Sequence, residues 1–304
     1  MLELFPEVRS QIIENTFRSD QKGDSRMKVQ GYARVTIVGF VLLLAAMPAL
    51  AGGPPKPRSG KAEAQQLIDQ AWELSHTDST AEIYKQCVSW MEQADQMDPN
   101  NDTILTDLAR YRWNYGDNLP KQTKEEQTKI EGIYAQGLAA AEKSMAVKET
   151  VAGHYWYAVN KAAGLEFSTI FSQAAGFPTI LKHSGYVSDH EPDYYYGASG
   201  RLWSEILVRV PKIVVKMVGY DPQLVVDDIN ASIQKEPRYL DNYVYKARFI
   251  YTYFENKDEA LALLDHALKQ DPAVLPEEVS ANRVAQRDAR ELWKKITGKD
   301  YPAK

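Results

Sequence analysis

The chain has 304 residues, 44% of them hydrophobic and 25% charged, with a formal charge of -5. That is enough apolar material for one extended helical array or two modest domains. It is too acidic for nucleic acid as a main partner, whose phosphates call for a basic face.

The first stretch reads as targeting rather than fold. From Met27, Lys28 and Arg34 supply a basic region, residues 35–46 an apolar core, and Ala49-Leu50-Ala51 a small-residue cleavage motif. This is the pattern of a secretory signal peptide over 27–51. The apolar run falls short of the ~20 residues a membrane span needs and is interrupted by Pro48. An uncleaved anchor is the second reading, and would be the one attachment to a membrane. Signal peptides begin at their initiator Met, so residues 1–26 are expected to be an upstream extension from a misassigned start. The exported, periplasmic chain is expected to begin near Gly52. No Cys follows the apolar core, which excludes a lipoprotein anchor. Residues 52–60, rich in Gly and Pro, read as a flexible linker.

Helical periodicity then takes over. Residues 61–76 place Ala64, Leu67, Ile68, Ala71, Trp72 and Leu74 on one side. Ser79 with Glu82 reads as a capping box opening a helix that carries Ile83, Cys87, Trp90, Met91, Ala94 and Met97. Cys87 is the only cysteine, so no intramolecular disulfide and no thiolate zinc site can form. On that apolar face it reads as a buried structural thiol. Asp98-Pro99 closes this first hairpin. Ile104 to Trp113 and a helix opened by Thr123 with Glu126 make a second. Residues 151–171 form the most aromatic helix, 174–190 the next, and Tyr194 to Val210 another that Pro211 breaks. Asp221-Pro222 reads as a helix start, with Asp as cap and Pro in the first turn, ahead of a helix over 224–235.

Glu236 to Pro272 is the clearest unit, one hairpin at the tetratricopeptide (TPR) period of about 34 residues. Tyr243, Ala247, Ile250, Tyr251 and Phe254 form one apolar stripe, Glu255-Asn256-Lys257 the turn, and Ala260, Leu263, Leu264, Ala267 and Leu268 a second stripe. Tyr251, Ala260, Leu264, Ala267 and Pro272 are the expected repeat-packing residues. Acidic–Pro stops recur at Pro192, Pro237 and Pro272. The first interval is the longer and holds an insertion over 211–220, where a repeat array deviates and carries function. After Pro276 an amphipathic helix over 277–296 reads as the terminal cap a solenoid needs for solubility. The expectation is an all-α, TPR-like array of irregular helical hairpins (an α-solenoid) over 61–272, with a C-terminal capping helix and tail over 273–304.

Within that pattern, Tyr155-Trp156-Tyr157 with Asn160, then Tyr194-Tyr195-Tyr196-Gly197 with Arg201-Leu202 and the later Pro211, resemble the T component of TPR-associated TRAP transporters (TatT-like proteins). A helix ending Glu236-Pro237 and the hairpin up to Pro272 extend the resemblance over about 65–272. It implies an exported, all-helical, non-catalytic protein beside the substrate-binding subunit of a secondary transporter for organic acids or other small ligands. It also implies a homotrimer with a pore through each subunit. Family members are often lipoproteins, whereas this sequence shows no lipidation Cys after the apolar core.

No catalytic constellation, cofactor motif or metal set emerges from the residues themselves, so an enzyme is not expected. His183 and His190 near a helix end lack a third ligand at helical spacing. Gly197-Ala198-Ser199-Gly200 has neither the Lys-Ser/Thr of a phosphate loop nor the nucleophile-elbow context for Ser199. The aromatic set is the stronger signal. Neighbours on a helix point about 100° apart, so Tyr155-Trp156-Tyr157 and Tyr194-Tyr195-Tyr196 cannot all face one core. Either some line a groove, a pore or a subunit contact, where Tyr and Trp are enriched, or most wedge helices apart as TPR aromatics do. Tyr155, Trp156, Asn160, Tyr195, Arg201 and Trp203 are the candidate lining residues for a small hydrophobic or anionic ligand. Arg201 would offer a bidentate fork to a carboxylate, or else make an ion pair within the protein. Two functions remain open: an adaptor docking a TRAP substrate-binding subunit, and a generic periplasmic TPR scaffold for envelope proteins.

Overall fold

The computed structural model describes Gly53 and residues 55–302, apart from 210–211, 213–214 and 216–219. Residues 51–210 and 222–304 form one compact unit; residues 1–50 with 211–221 form another, of which only Lys212, Val215, Tyr220 and Asp221 are described. The expected leader, its upstream extension and most of the 211–220 insertion therefore lie outside the described residues.

Among the described residues every regular element is helical, so the protein is all-α. The helices are α1 (Ala62–Ser75), α2 (Ala81–Met97), α3 (Asp102–Asp117), α4 (Lys124–Val147), α5 (Val151–Gly164) and α6 (Ile170–His190). They continue with α7 (Tyr194–Arg209), α8 (Gln223–Lys235), α9 (Asp241–Phe254), α10 (Lys257–Lys269) and, after two 3₁₀ turns at Pro272–Val274 and Pro276–Glu278, α11 (Val279–Thr297). None of the described helices is long and apolar enough to cross a membrane.

The stripes legible in the sequence are the buried faces. Ala64, Ile68 and Ala71 of α1 meet Cys87, Met91 and Ala94 of α2 in a core that continues through Ile104, Leu108, Ala141, Trp156 and Ile206. Each large apolar side chain fully buried in this way contributes about 1.5–3 kcal/mol. A second core joins Val244, Ala247, Ala260, Leu264 and Ala267 of the α9–α10 hairpin to Ala285, Ala289 and Leu292 of α11, with Tyr251 packed at its edge. The small Ala260 and Ala267 are fully buried, as close helix approach requires, and Pro272 opens the first 3₁₀ turn after α10.

Several boundaries differ from expectation. The cap of α2 is Thr80, whose hydroxyl accepts from the Ile83 N–H. Ser79 is drawn off instead into hydrogen bonds with Tyr84 and Ser280. Thr123 and Glu126 do form a reciprocal capping box on α4. The expected 151–171 helix stops at Gly164, and Thr169 caps a fresh helix by accepting from Ser172 N–H. Pro178 then falls inside α6, which runs on past it although the proline has no N–H to donate. Pro222, not Asp221, occupies the N-cap position of α8. A 3₁₀ turn opened by Pro276 takes the place of the first residues expected of the C-terminal helix.

Sequential helices pack as neighbours, and so do alternate ones: α3 with α5, α5 with α7, α7 with α9, and α9 with α11. Alternate helices from α3 to α11 thus touch in succession. The start of α11 also meets the α1–α2 turn, through Ser79 Oγ to Ser280 Oγ at 2.6 Å and Arg283 Nη1 donating to Thr77 O at 3.1 Å.

Candidate functional site

The aromatic segment opening α7 is built on one left-handed turn. Tyr195 (φ 46°, ψ 55°), Tyr196 (φ 54°, ψ 37°) and Gly197 (φ 82°, ψ 38°) lie in sequence in the left-handed region. Each tyrosine there costs roughly 1–2 kcal/mol, so neighbours must hold the turn. Arg201, one helical turn on, does so. Its Nη1 donates to Tyr196 O (2.9 Å) and Asn242 Oδ1 (2.6 Å), and its Nη2 to Tyr195 O (2.7 Å). Asn242 Nδ2 donates to the same Tyr196 carbonyl at 3.0 Å, and Asp241 Oδ2 sits 3.6 Å from Arg201 Nε. The guanidinium also lies 4.9 Å from the Tyr239 ring centroid and 5.6 Å from that of Tyr195. Gly197 is required for space as well as for φ: a Cβ would fall 1.8 Å from Ser232 Oγ of α8.

The turn and α5 bring four of the six candidate residues together. Tyr155 meets Trp156 edge-on at 4.9 Å and Tyr194 at 5.4 Å. Trp156 lies 6.2 Å from the Tyr195 ring, and Arg201 stands over Tyr195. Trp156 is 1% exposed and Tyr155 7%, so these rings pack mainly on one another. Asn160 is elsewhere: its Nδ2 donates to Ala109 O and Trp156 O, tying α5 to α3. Its Oδ1 lies 2.1 Å from where a Cβ on Gly137 would be, so Gly137 lets α4 approach. Trp203 points its edge contact to Phe177 of α6, at 6.4 Å. Arg201's hydrogen-bonding edges go to backbone carbonyls and Asn242.

What borders this packed set is charged. On α7 and α9, Arg248 Nη1 pairs with Glu205 Oε1 at 2.6 Å. Glu205 and Asp241 each keep 21% of their side-chain surface and Arg248 32%. Asp241 is nevertheless pushed up to about 6 by burial, against the pull of Arg201, with Asp288 of α11 adding to the rise. Burial likewise raises Asp288 and the Tyr245 hydroxyl. Burial raises these carboxyls because it disfavours the charged form. The charged groups are carried by three helices that pack on one another in turn: Glu205 by α7, Asp241 and Arg248 by α9, and Asp288 by α11. Two surface hollows of about 580 and 720 Å³ lie elsewhere, at residues 98–103 beside 55–58 and at residues 268–272 beside Tyr301.

A second charged layer was not anticipated. Asp107 and Arg110 on α3 are buried and bonded in a bidentate pair at 2.7 and 2.9 Å, with the guanidinium 4.4 Å from the Tyr111 ring centroid. The clue is two charges inside the apolar run Ile104 to Tyr111, every residue of which is buried. Tyr239, Asp241, Asn242 and Glu278 carried no comparable signal, because they converge from distant segments. His183 stacks on Tyr157 at 4.0 Å and neighbours His154 at 4.8 Å, while His190 stacks on Tyr186. Burial pushes His183 down to about 4. Among the described residues no group of three or more His, Cys, Asp or Glu side chains is placed to hold a metal ion.

Comparison with known proteins adds no assignment: no protein-family model and no curated protein matches this chain.

Proposed function

We propose that this protein is an exported, non-catalytic TPR-like binding protein, an adaptor that docks the substrate-binding subunit of a TRAP-type transporter. The supporting observation is the partly exposed charged group on α7 and α9, Asp241 with Arg248 and Glu205, which adjoins the Tyr155–Trp156–Tyr195–Arg201 cluster through Arg201. Alternate helices packed in a row are how a TPR-like solenoid presents one continuous binding face. This group offers ionic and hydrogen-bonding side chains to a partner surface, beside the packed aromatic rings. A homotrimer belongs to the same reading.

The second reading, a general periplasmic scaffold for envelope proteins, is favoured by one observation. Tyr155, Trp156 and Tyr194 pack on each other with little exposure, and the neighbouring groups that keep solvent contact are charged, which suits protein docking better than passage of a hydrophobic ligand.

Affinity capture of the chain from Gly52 onward out of native envelope extract, followed by mass spectrometry, separates the two. Recovery of a TRAP substrate-binding subunit, lost in Arg248→Ala, is the expected result. Recovery of envelope-assembly proteins alone would replace the adaptor with the scaffold.

A further inference from the structure

The buried face of α6 is short and is interrupted by a titratable group. Among its described residues Gly176, Ile180, His183, Ser184 and Val187 are buried, at the three- and four-residue spacing of one helix face. Ile180 and Val187 join the large core, and His183 stands between them where a third apolar side chain would be expected. On its other side α6 meets α7 through Ser188 Oγ and Ser199 Oγ at 2.6 Å and through the edge contact of Phe177 with Trp203.

His183 is the second ring in a column of five drawn from α5 and α6. Tyr157 stacks on His183 at 4.0 Å, His183 lies 4.8 Å from His154, His154 stacks on Tyr186 at 3.8 Å, and Tyr186 on His190 at 3.8 Å. His154 and Tyr157 are three residues apart, as are His183 and Tyr186, so each pair shares one helix face and the two pairs interleave. A neutral imidazole packs here as an aromatic ring. A protonated one has no acceptor to meet, because the Nδ1 atoms of both His154 and His183 are buried without a hydrogen-bond partner. The charged surroundings offer little help. Glu149, in the turn between α4 and α5, reaches His154 Nε2 at 3.2 Å but keeps 67% of its side chain exposed. Lys182 of α6 opposes charge on both histidines, and His190 opposes it on His154. Glu142 of α4 faces Tyr157 at the end of the column. Burial, with His154 and Lys182 adding to it, pushes His183 down to about 4.

We propose that the ring column is an acid-sensitive latch, in which proton uptake by His183 releases α6 from α5 while the rest of the helical unit stays folded. A proton on His183 places an unsatisfied N–H and a positive charge in the middle of the α6 stripe, 4.8 Å from the His154 ring. In the released helix the imidazole meets water and the charge is solvated. Closed α6 therefore binds fewer protons than released α6. The latch is at full strength above the ordinary value of 6.5 and weakens as pH falls towards about 4.

The test is amide hydrogen exchange on the full chain at pH 7.5 and pH 5, corrected for the intrinsic pH dependence of exchange. A shift from 6.5 to about 4 lowers the closing constant about 30-fold at pH 5 relative to pH 7.5. Exchange of the α6 amides is expected to rise by that factor, while the α9–α10 hairpin changes by less than about 3-fold. His183→Phe keeps a ring in the column and cannot take a proton, so the α6 rise in H183F is expected to shrink to within about 3-fold of its own pH 7.5 value. Independently of any variant, NMR titration of the ¹⁵N-labelled imidazoles reads His183 directly, and its protonation should coincide with the loss of α6 protection. A rise shared equally by α6 and the α9–α10 hairpin, a rise that survives in H183F, or a His183 that titrates at its ordinary value with α6 still protected would each overturn the latch.

Discussion

Gly197→Ala is the sharpest test of how the α7 turn is held. At φ 82° and ψ 38°, an alanine pays roughly 1–2 kcal/mol for its left-handed backbone. Its Cβ would also meet Ser232 Oγ at 1.8 Å and Ser232 Cβ at 2.5 Å. The hydroxyl can swing away by giving up its bond to Asp228 O at 2.9 Å, but the Ser232 Cβ cannot move unless α8 does. Such overpacking costs about 1–3 kcal/mol, so the total is about 2–5 kcal/mol. Ser232→Gly removes the obstacle and leaves only the backbone cost. Urea unfolding followed by far-ultraviolet circular dichroism on the two single variants and the double variant gives the coupling. G197A is expected to cost about 1–2 kcal/mol in the S232G background, well below its cost alone. Equal costs in both backgrounds, or a G197A cost under about 1 kcal/mol, would refute the reasoning.

Other perturbations address the remaining parts of the site. Arg201→Met strands the Tyr195 carbonyl and Asn242 Oδ1 and leaves Asp241 uncompensated, a loss of about 3–5 kcal/mol in denaturant unfolding. Arg201→Lys restores little of it, because an ammonium lacks the planar fork that reaches two carbonyls; wild-type stability in R201K would show that the fork is not needed. Asp241, raised from 3.8 to about 6, binds its proton more tightly folded than unfolded. Its contribution is therefore fully present below about pH 4 and is lost as pH rises towards 6, by at most about 3 kcal/mol before discounting for its partial exposure. Asp241→Asn should flatten the stability profile between those pH values; an unchanged slope would remove Asp241 as its source. Cys87, fully buried and pushed up to about 12 by burial, should react with thiol reagents only as fast as the protein unfolds. Labelling that is independent of added denaturant would place it instead at a surface.

The elements of this fold were decided locally. The stripes of α1, α2, α9 and α10, the Thr123–Glu126 capping box, the small Ala260 and Ala267, and the acidic–Pro stops fix where helices run and which faces they bury. Apolar periodicity and missing backbone donors act within a few residues, so one chain segment carries the whole signal. The same holds for the concentration of aromatics at Tyr155–Tyr157 and Tyr194–Tyr196. Where those rings go was a tertiary outcome. Arg201 serves the Tyr195 and Tyr196 carbonyls because Asn242 and Asp241 arrive from α9 to complete the arrangement, and Asn160 serves α3 because Gly137 admits α4. Ser79 lost its capping role to Ser280, a partner from the far end of the chain. The desolvation of Asp241 and Asp288 is imposed by helices distant in sequence. Local pattern specifies which side chains are apolar and how they recur. The cost of burying a charge, and what remains to compensate it, is set only when the helices pack.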